Sequence, residues 1–250
     1  KHWDTNGDGY LSYSEAEAVK EIGSVFKENK LITSFDEFKF FTNVRNVSDS
    51  AFFLCQALEK ITYPKYLTSI GGWAFNTCRA FDEPPLTNNI TVINNYAFRA
   101  CDFENVIIPN SVTHIGSYAF YNAGVTNLVL GNKVKVVNAY AFEYCNMKSV
   151  KIPESVTGLG ANPWANCKNL ERFEGKFATS DGRFLIVNNR VYSAAMAGMT
   201  TCTIPEGVTS TWIIAFEGGQ FTKLNLPSSL VEIGHNSFRD CTKLTEVTIP

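Results

Sequence analysis

No apolar run in the sequence approaches the ~20 residues of a membrane-crossing helix, and neither sign of charge dominates. Lys and Arg number 22 against 24 Asp and Glu, a formal net charge of −2. The first absence argues against a transmembrane helix and the second against a basic nucleic-acid surface. Charged residues make up 18% of the chain and hydrophobic residues 45%, which is the composition of a folded protein rather than a disordered one. Signatures of catalysis are missing too: there is no Gly-x-Ser-x-Gly, no phosphate loop and no metalloprotease motif. The three histidines, His2, His114 and His235, are not spaced against a nucleophile. The carboxylate pairs Asp82/Glu83 and Glu171/Glu174 read as surface charge rather than a hydrolytic dyad. A non-enzymatic role follows. No Cys-x-x-Cys or Cys/His spacing suits zinc. The chain opens at Lys1 without an initiator Met, which suggests a removed export signal and a surface or secreted location.

What the sequence does have is a repeat. The stretch Ile108-Pro109-Asn110-Ser111-Val112-Thr113-His114-Ile115-Gly116-Ser117-Tyr118-Ala119-Phe120 recurs through most of the chain. Aligned on the aromatic of the Ala-Phe pair, the copies fall at Phe52, Phe75, Phe98, Phe120, Phe142, Trp164, Phe216 and Phe238, 22 or 23 residues apart except between Trp164 and Phe216. Strand-like segments begin at Leu58, Phe81, Phe103, Val125, Met147, Leu170, Met199, Phe221 and Leu244. A fixed period of this length predicts a solenoid whose units stack on their neighbours. One unit buries about five or six apolar side chains at ~1.5–3 kcal/mol apiece, while ordering its backbone costs ~1–2 kcal/mol per residue, so a lone unit cannot fold. The expected fold is a mostly parallel β solenoid with short helical turns.

Two pairs of columns define the expected core. Ile61, Val106, Leu128, Val150, Leu224 and Val247 share one position, and Tyr63, Leu86, Ile108, Leu130, Ile152, Ile204, Leu226 and Ile249 share another two residues on, pointing the same way in a strand. Leu67, Ile90, Val112, Val134, Val156, Val208 and Leu230, followed by Ile70, Ile93, Ile115, Val137, Leu159 and Ile233, mark a second short strand in each turn. Six of the seven cysteines stand three residues after the aromatic, a small buried column; parallel Cβ directions and the odd count predict reduced thiols. Outward strand positions vary freely, and among them Ile107 and Val129 form a small apolar patch, a candidate protein-binding surface. Trp73, Tyr96, Tyr118 and Tyr140, two residues before the Phe in successive copies, are a second candidate surface unless they pack on one another along the stack. Between Trp164 and Phe216 the register breaks. Residues 176–198 read as a β-hairpin insertion turning at Asn188-Asn189.

The N-terminal stretch 4–15 fits an EF-hand calcium loop. Asp4, Asn6 and Asp8 stand at positions one, three and five, Gly9 at six, Tyr10 at seven would lend its carbonyl, Ser12 at nine could act through water, and Glu15 at twelve would bind bidentately. The competing reading is a plain Asp/Asn/Gly turn that caps the next helix. Little chain precedes the loop to serve as an entering helix, and Leu11 is expected to point into the packing. A helix over 14–22 should bury Ala16, Val19 and Ile22, with Phe26 beyond, and Ser34-Phe35-Asp36-Glu37 reads as a capping box opening a second helix. Residues 1–45 thus form a helical cap and 46–250 the solenoid.

The motifs Ile108-Pro109 through Ala119-Phe120 and Leu226-Pro227 through Phe238-Arg239-Asp240-Cys241 resemble the BspA-like class of leucine-rich repeats over about four-fifths of the chain. The Asp-x-Asn-x-Asp-Gly loop is similar to dockerin loop-helix units, although a dockerin carries two, so cohesin binding is not expected. The resemblance implies an exported, cell-surface recognition protein, and for some members adhesion to host matrix glycoproteins; the expected role is binding of an extracellular protein or glycoprotein, with the loop read separately as holding a structural Ca2+ that pins the cap. The alternatives are a carbohydrate-binding module, or a spacer assembling through a C-terminal strand edge at Ile249-Pro250.

Overall fold

Two short extended segments per repeat, joined by tight turns, set the winding. The computed structural model describes residues 2–250, and in it the chain forms a parallel-strand solenoid with very little helix. One ladder is continuous: Asn46–Val47, Ser69–Ile70, Val92–Ile93, His114–Ile115, Val136–Val137 and Gly158–Leu159 pair in parallel, each with the next turn, as six strands. Its tightness depends on the Ile-Gly step. A Cβ on Gly116 would lie 2.5 Å from the carbonyl carbon of Asn94 in the turn before, so a side chain there would force the turns apart.

The other strand face is not continuous. Its strands pair in separate groups: Ser34–Phe35 with Lys60–Ile61, Asn105–Ile107 with Asn127–Val129, Ser149–Ile152 with Arg172–Gly175, and Thr201–Thr203 with Lys223–Asn225 and Glu246–Thr248. The segment from Phe81 forms no strand, because Pro84 and Pro85 lack the N–H groups a ladder needs.

The turn after each strand of the continuous ladder is a third ladder, built from left-handed residues. Tyr96, Tyr118 and Tyr140 all have φ near +60° (61°, 58° and 59°), as does Trp73 at 58°. Backbone N–H groups of one turn donate to carbonyls of the next, as in Tyr118→Ala139, Phe120→Ala141 and Asn122→Glu143. The phenylalanines stack inside, Phe52 on Phe75 at 5.2 Å, Phe75 on Phe98 at 5.4 Å and Phe98 on Phe120 at 5.2 Å between ring centres.

Most predicted core columns are buried, but Ile233, Val247 and Ile249 are exposed, because among the described residues no further turn stacks on them. Between the turns of Trp164 and Phe216, Phe184–Val187 and Arg190–Ala194 form an antiparallel hairpin through Asn188 and Asn189, both at positive φ (50° and 58°). The buried apolar residues divide there into two clusters, one running from Ala16 to Ala195 and the other from Phe184 to Leu224.

The N-terminal segment departs from expectation in three ways. The helix covers only Tyr13–Ala18, and Val19 is already extended; Ile22 is buried and Phe26 packs on the core from a turn instead. Ser34 makes no capping box, because Ser34–Phe35 is a strand paired with Lys60–Ile61 and the following Asp36–Phe40 is a 3-10 helix with no side-chain cap. Leu11 is exposed rather than packed.

Candidate functional site

The outward side chains of the split strand face form its surface chemistry. Ile107 and Val129 are register partners on adjacent strands, exposed to 64% and 56%. Beside them Asn127 Nδ2 donates to Asn105 Oδ1 at 2.9 Å. Between Asn127–Val129 and Ser149–Ile152 no ladder hydrogen bonds form among the described residues. The strands part around a groove of about 510 Å³ lined by Asn127, Leu128, Val129, Lys148 and Ser149. Leu128, a predicted core residue, is left half-buried at its edge. An apolar patch bordering a polar groove offers a protein both burial and backbone-like hydrogen bonds.

The aromatic column is brought together as a stack. Trp73 lies 4.0 Å from Tyr96, Tyr96 4.9 Å from Tyr118, and Tyr118 4.8 Å from Tyr140, all nearly parallel. Ring faces spent on one another are closed to a stacking ligand; Trp73, the most exposed of the four, also meets Phe53 edge-on at 6.3 Å.

In the N-terminal loop the side chains of Asp4, Asn6, Asp8, Ser12 and Glu15 are all hydrogen-bonded. Asp4 accepts from Gly7 N–H (2.8 Å) and Gly9 N–H (3.0 Å), with both glycines at positive φ. Asn6 Nδ2 donates to Asp8 Oδ2 (2.9 Å), and Asp8 Oδ1 accepts from Tyr10 N–H (2.8 Å). Glu15 accepts from Thr5 N–H (2.7 Å), Thr5 Oγ1 (2.9 Å) and Ser12 Oγ (2.8 Å), and with Ser12 completes a capping box on the helix. Hydrogen bonds from Ser12, then Thr5, hold the Glu15 carboxyl down at about 2. No three His, Cys, Asp or Glu side chains converge as a metal site among the described residues. Asn6, Ser12 and the Tyr10 carbonyl, oxygen donors of the EF-hand pattern, lie outside that set of side chains.

Sequence reasoning missed a buried polar cluster at the register break. Glu143 and Glu217 are both buried. Asn166 Nδ2 donates to Glu143 Oε1 at 3.1 Å, and Arg239 pairs with Glu217. Burial pushes the Glu143 carboxyl up to about 7; the Asn166 hydrogen bond and the Arg239 charge oppose this, and the Glu217 charge adds to it. One signal was available: both glutamates directly follow the aligned Phe, where other copies carry Phe53, Asn76, Arg99, Tyr121, Ala165 and Arg239. The three histidines are exposed.

Residues 20–102, 91–180 and 186–250 match the family model for the BspA type leucine rich repeat region, in six copies. Among solved structures, the fold is similar to a leucine rich cell surface protein from Faecalibacterium prausnitzii A2-165, with 22% identity, a TM-score of 0.73, and coverage of 91% of this chain and 63% of that one. It is also similar to the pneumococcal vaccine antigen PcpA, at 19% identity, TM-score 0.64 and coverage of 84% and 49%. A leucine-rich repeat protein from Eubacterium ventriosum ATCC 27560 gives 19% identity, TM-score 0.59 and coverage of 82% and 60%. At such identities the likeness is one of fold, and the chain spans less than two thirds of the length of each structure. No curated protein matches the chain. Among the described residues no helix is long and apolar enough to cross a membrane.

Proposed function

The chain belongs to the BspA-type leucine-rich repeat family, and from that premise we propose that it is an exported, non-enzymatic recognition protein that binds an extracellular protein or glycoprotein on its split strand face. The observation that carries this is the side-by-side exposure of Ile107 and Val129 at the lip of the groove between Asn127–Val129 and Ser149–Ile152. Stacking within the Trp73–Tyr140 column supports a structural role for those rings over a carbohydrate platform. The test is a binding screen against immobilised matrix glycoproteins, native and deglycosylated. Saturable binding should survive deglycosylation and be lost in Ile107→Lys/Val129→Glu, which replaces the patch with an opposite-charge pair on register partners and should stay within about 0.5 kcal/mol of the parent because both side chains are exposed. Binding that the double variant retains would move the ligand off this face.

The same reading places structural calcium in the N-terminal loop. The donor set suits a hard cation: side-chain oxygens of Asp4, Asn6, Asp8, Ser12 and Glu15 and the carbonyl of Tyr10 lie in a loop already curled by Asp4. Bound calcium would neutralise carboxylates that the loop otherwise pairs with N–H and O–H groups. The Ser12–Glu15 capping box makes removal of Glu15 destabilising without any metal, so the informative quantity is the calcium-dependent part. Calcium should raise the parent's melting temperature over chelator, and Asp4→Ala/Glu15→Ala should abolish that increment; equal increments in both proteins would leave only the helix cap.

A further inference from the structure

One edge of the solenoid carries basic residues and no acidic ones. It is the turn that leads into the continuous six-strand ladder, together with the outer positions of that ladder. In five successive turns, residues 43–47, 64–70, 87–93, 109–115 and 131–137, it holds no Asp or Glu. The sign changes further along, where Glu154 and Glu206 take the position held earlier by Lys65, Asn88, Asn110 and Asn132. Arg45, Lys65, Lys133 and Lys135 stand on the acid-free stretch, all exposed. None of the four pairs with a carboxylate among the described residues, whereas Lys60, Arg172, Arg190, Lys223 and Arg239 do.

The four cations are gathered at two ends. Arg45 Cζ and Lys65 Nζ each lie 5.3 Å from the centre of the Tyr66 ring, and Arg45 Nη1 donates to Thr42 O at 2.7 Å. That fixes a guanidinium which keeps further N–H donors and has no acid beside it. Lys133 and Lys135 share one turn at the other end. Arg45, Thr68, Thr91, Thr113 and Lys135 are successive rungs, each N–H donating to the carbonyl of the rung before at 2.7 or 2.8 Å. Four strand spacings of ~4.8 Å therefore set Arg45 and Lys135 ~19 Å apart along the backbone. The surface between them is neutral and polar, with Asn88, Asn89, Thr91 and Asn110 exposed.

Unpaired cations of one sign attract an anion, and their separation decides its form. A small anion would reach one end only. A chain that spans both meets charge at the ends and amides and hydroxyls in the middle, so it must alternate anionic groups with neutral groups that donate and accept. Double-stranded DNA, with a charge every ~1.7 Å, would leave phosphates uncompensated over the middle. A single strand needs open aromatic platforms, and Tyr66, the one Phe, Tyr or Trp of these turns, already meets Arg45 and Lys65. A polysaccharide bearing sulfate or carboxylate groups has the required alternation. We propose that this edge binds an extended anionic polysaccharide, its charged groups at Arg45/Lys65 and Lys133/Lys135 and its hydroxyls on the amides between. The edge shares no residue with the Ile107/Val129 patch and stands whether or not that patch binds protein.

Titration of the whole chain with labelled heparin, dextran sulfate and unmodified dextran tests it, with single-stranded DNA and polyglutamate as other polyanions. The parent should bind at least one sulfated chain saturably at physiological ionic strength, more weakly as salt is added, and leave dextran unbound. Arg45→Thr/Lys65→Asn and Lys133→Ser/Lys135→Thr install residues that other copies carry at the same positions, so both variants keep the fold. Each should weaken binding about tenfold, as the loss of two exposed ion pairs would, and the four substitutions together should abolish it. Asn88→Glu, which copies Glu154 into the middle of the edge, should also weaken it. Lys30→Ser/Lys243→Ser removes the same charge elsewhere and should change affinity less than twofold. The proposal is overturned by no saturable binding of either sulfated chain, by dextran binding as tightly, by binding that the fourfold variant retains, or by an equal loss in the Lys30/Lys243 variant. Tighter binding of DNA or polyglutamate than of both sulfated chains would overturn it as well.

Discussion

Cys78, Cys101, Cys145, Cys167 and Cys241 each place Sγ within 3.0 to 3.3 Å of the carbonyl oxygen of a phenylalanine in the preceding turn, namely Phe52, Phe75, Phe120, Phe142 and Phe216. The column therefore needs more than small size: the thiol is a weak donor that adds a side-chain strut between turns. Burial pushes the thiols of Cys101, Cys145 and Cys202 up to about 12, so they stay protonated and inert. Glu143 is the titrating exception. Asn166, Glu217, Arg239, Tyr140 and Tyr144 surround it, and its carboxyl rises from 4.5 to about 7. Between those values the folded chain keeps a proton that the unfolded chain has lost, so Glu143 makes stability fall as pH rises through that interval and adds no slope above it. Glu143→Gln keeps an acceptor for Asn166 and removes the titration. Melting temperatures of variant and parent should agree near pH 4.5 and diverge in the variant's favour by pH 7.5; a difference that does not change with pH would show that Glu143 is not the group responsible.

At the scale of the element, the repeat period encoded which residues face inward and where the short strands of the continuous ladder fall, because a stacked turn buries the same positions in every copy. It did not encode which strands pair on the opposite face. That depends on how closely two backbones approach, and alternating side chains look the same whether or not their strands are joined. The N-terminal helix was overestimated for a related reason: the apolar spacing of Ala16, Val19 and Ile22 is helical, but the chain bends away after Ala18 and buries Ile22 from a turn. Nor did the spacing reveal that the aromatic column is left-handed. Tyr118 at φ 58° pairs a backbone cost with a stacking gain. Asn tolerates this region, whereas a β-branched residue pays ~1–2 kcal/mol for it. Tyr118→Asn and Tyr118→Val both lose stacking worth ~0.5–1.5 kcal/mol per pair, so the Val variant should unfold at lower urea by about 1–2 kcal/mol more than the Asn variant. Equal losses would mean that the turn relaxes out of the left-handed region at no cost.

Across the whole molecule, stacking makes stability a sum of turns and turn–turn interfaces, and one interface differs from the rest. From Ser50 to Ala165 each turn is tied to the next by backbone bonds, and the ladder resumes only at Ile214. The junction is bridged by a side chain. Asn162 Nδ2 donates to Ile214 O at 3.0 Å while Asn162 Oδ1 accepts from Ser193 Oγ at 2.6 Å, both deep in the interior. The hairpin strand Arg190–Ala194 adds two register pairs to Ser210–Thr211. Asn162 occupies the position that is Trp or Tyr in the four preceding copies; there the mostly half-buried ring stack ends and a buried amide takes over the link. Asn162→Ala leaves Ser193 Oγ without its partner, a loss of ~1–3 kcal/mol for a buried group left unpaired, and takes one of two donors from Ile214 O, which keeps the Glu217 N–H. Because the two buried clusters meet at this junction, the loss should fall on one side of it. Hydrogen exchange of Phe216, Gly218 and Leu224 should accelerate in the variant while Phe75, Phe98 and Phe120 keep the parent's protection. Uniform acceleration would show that the solenoid unfolds as one unit through the break, and unchanged exchange would show that the hairpin alone carries the coupling.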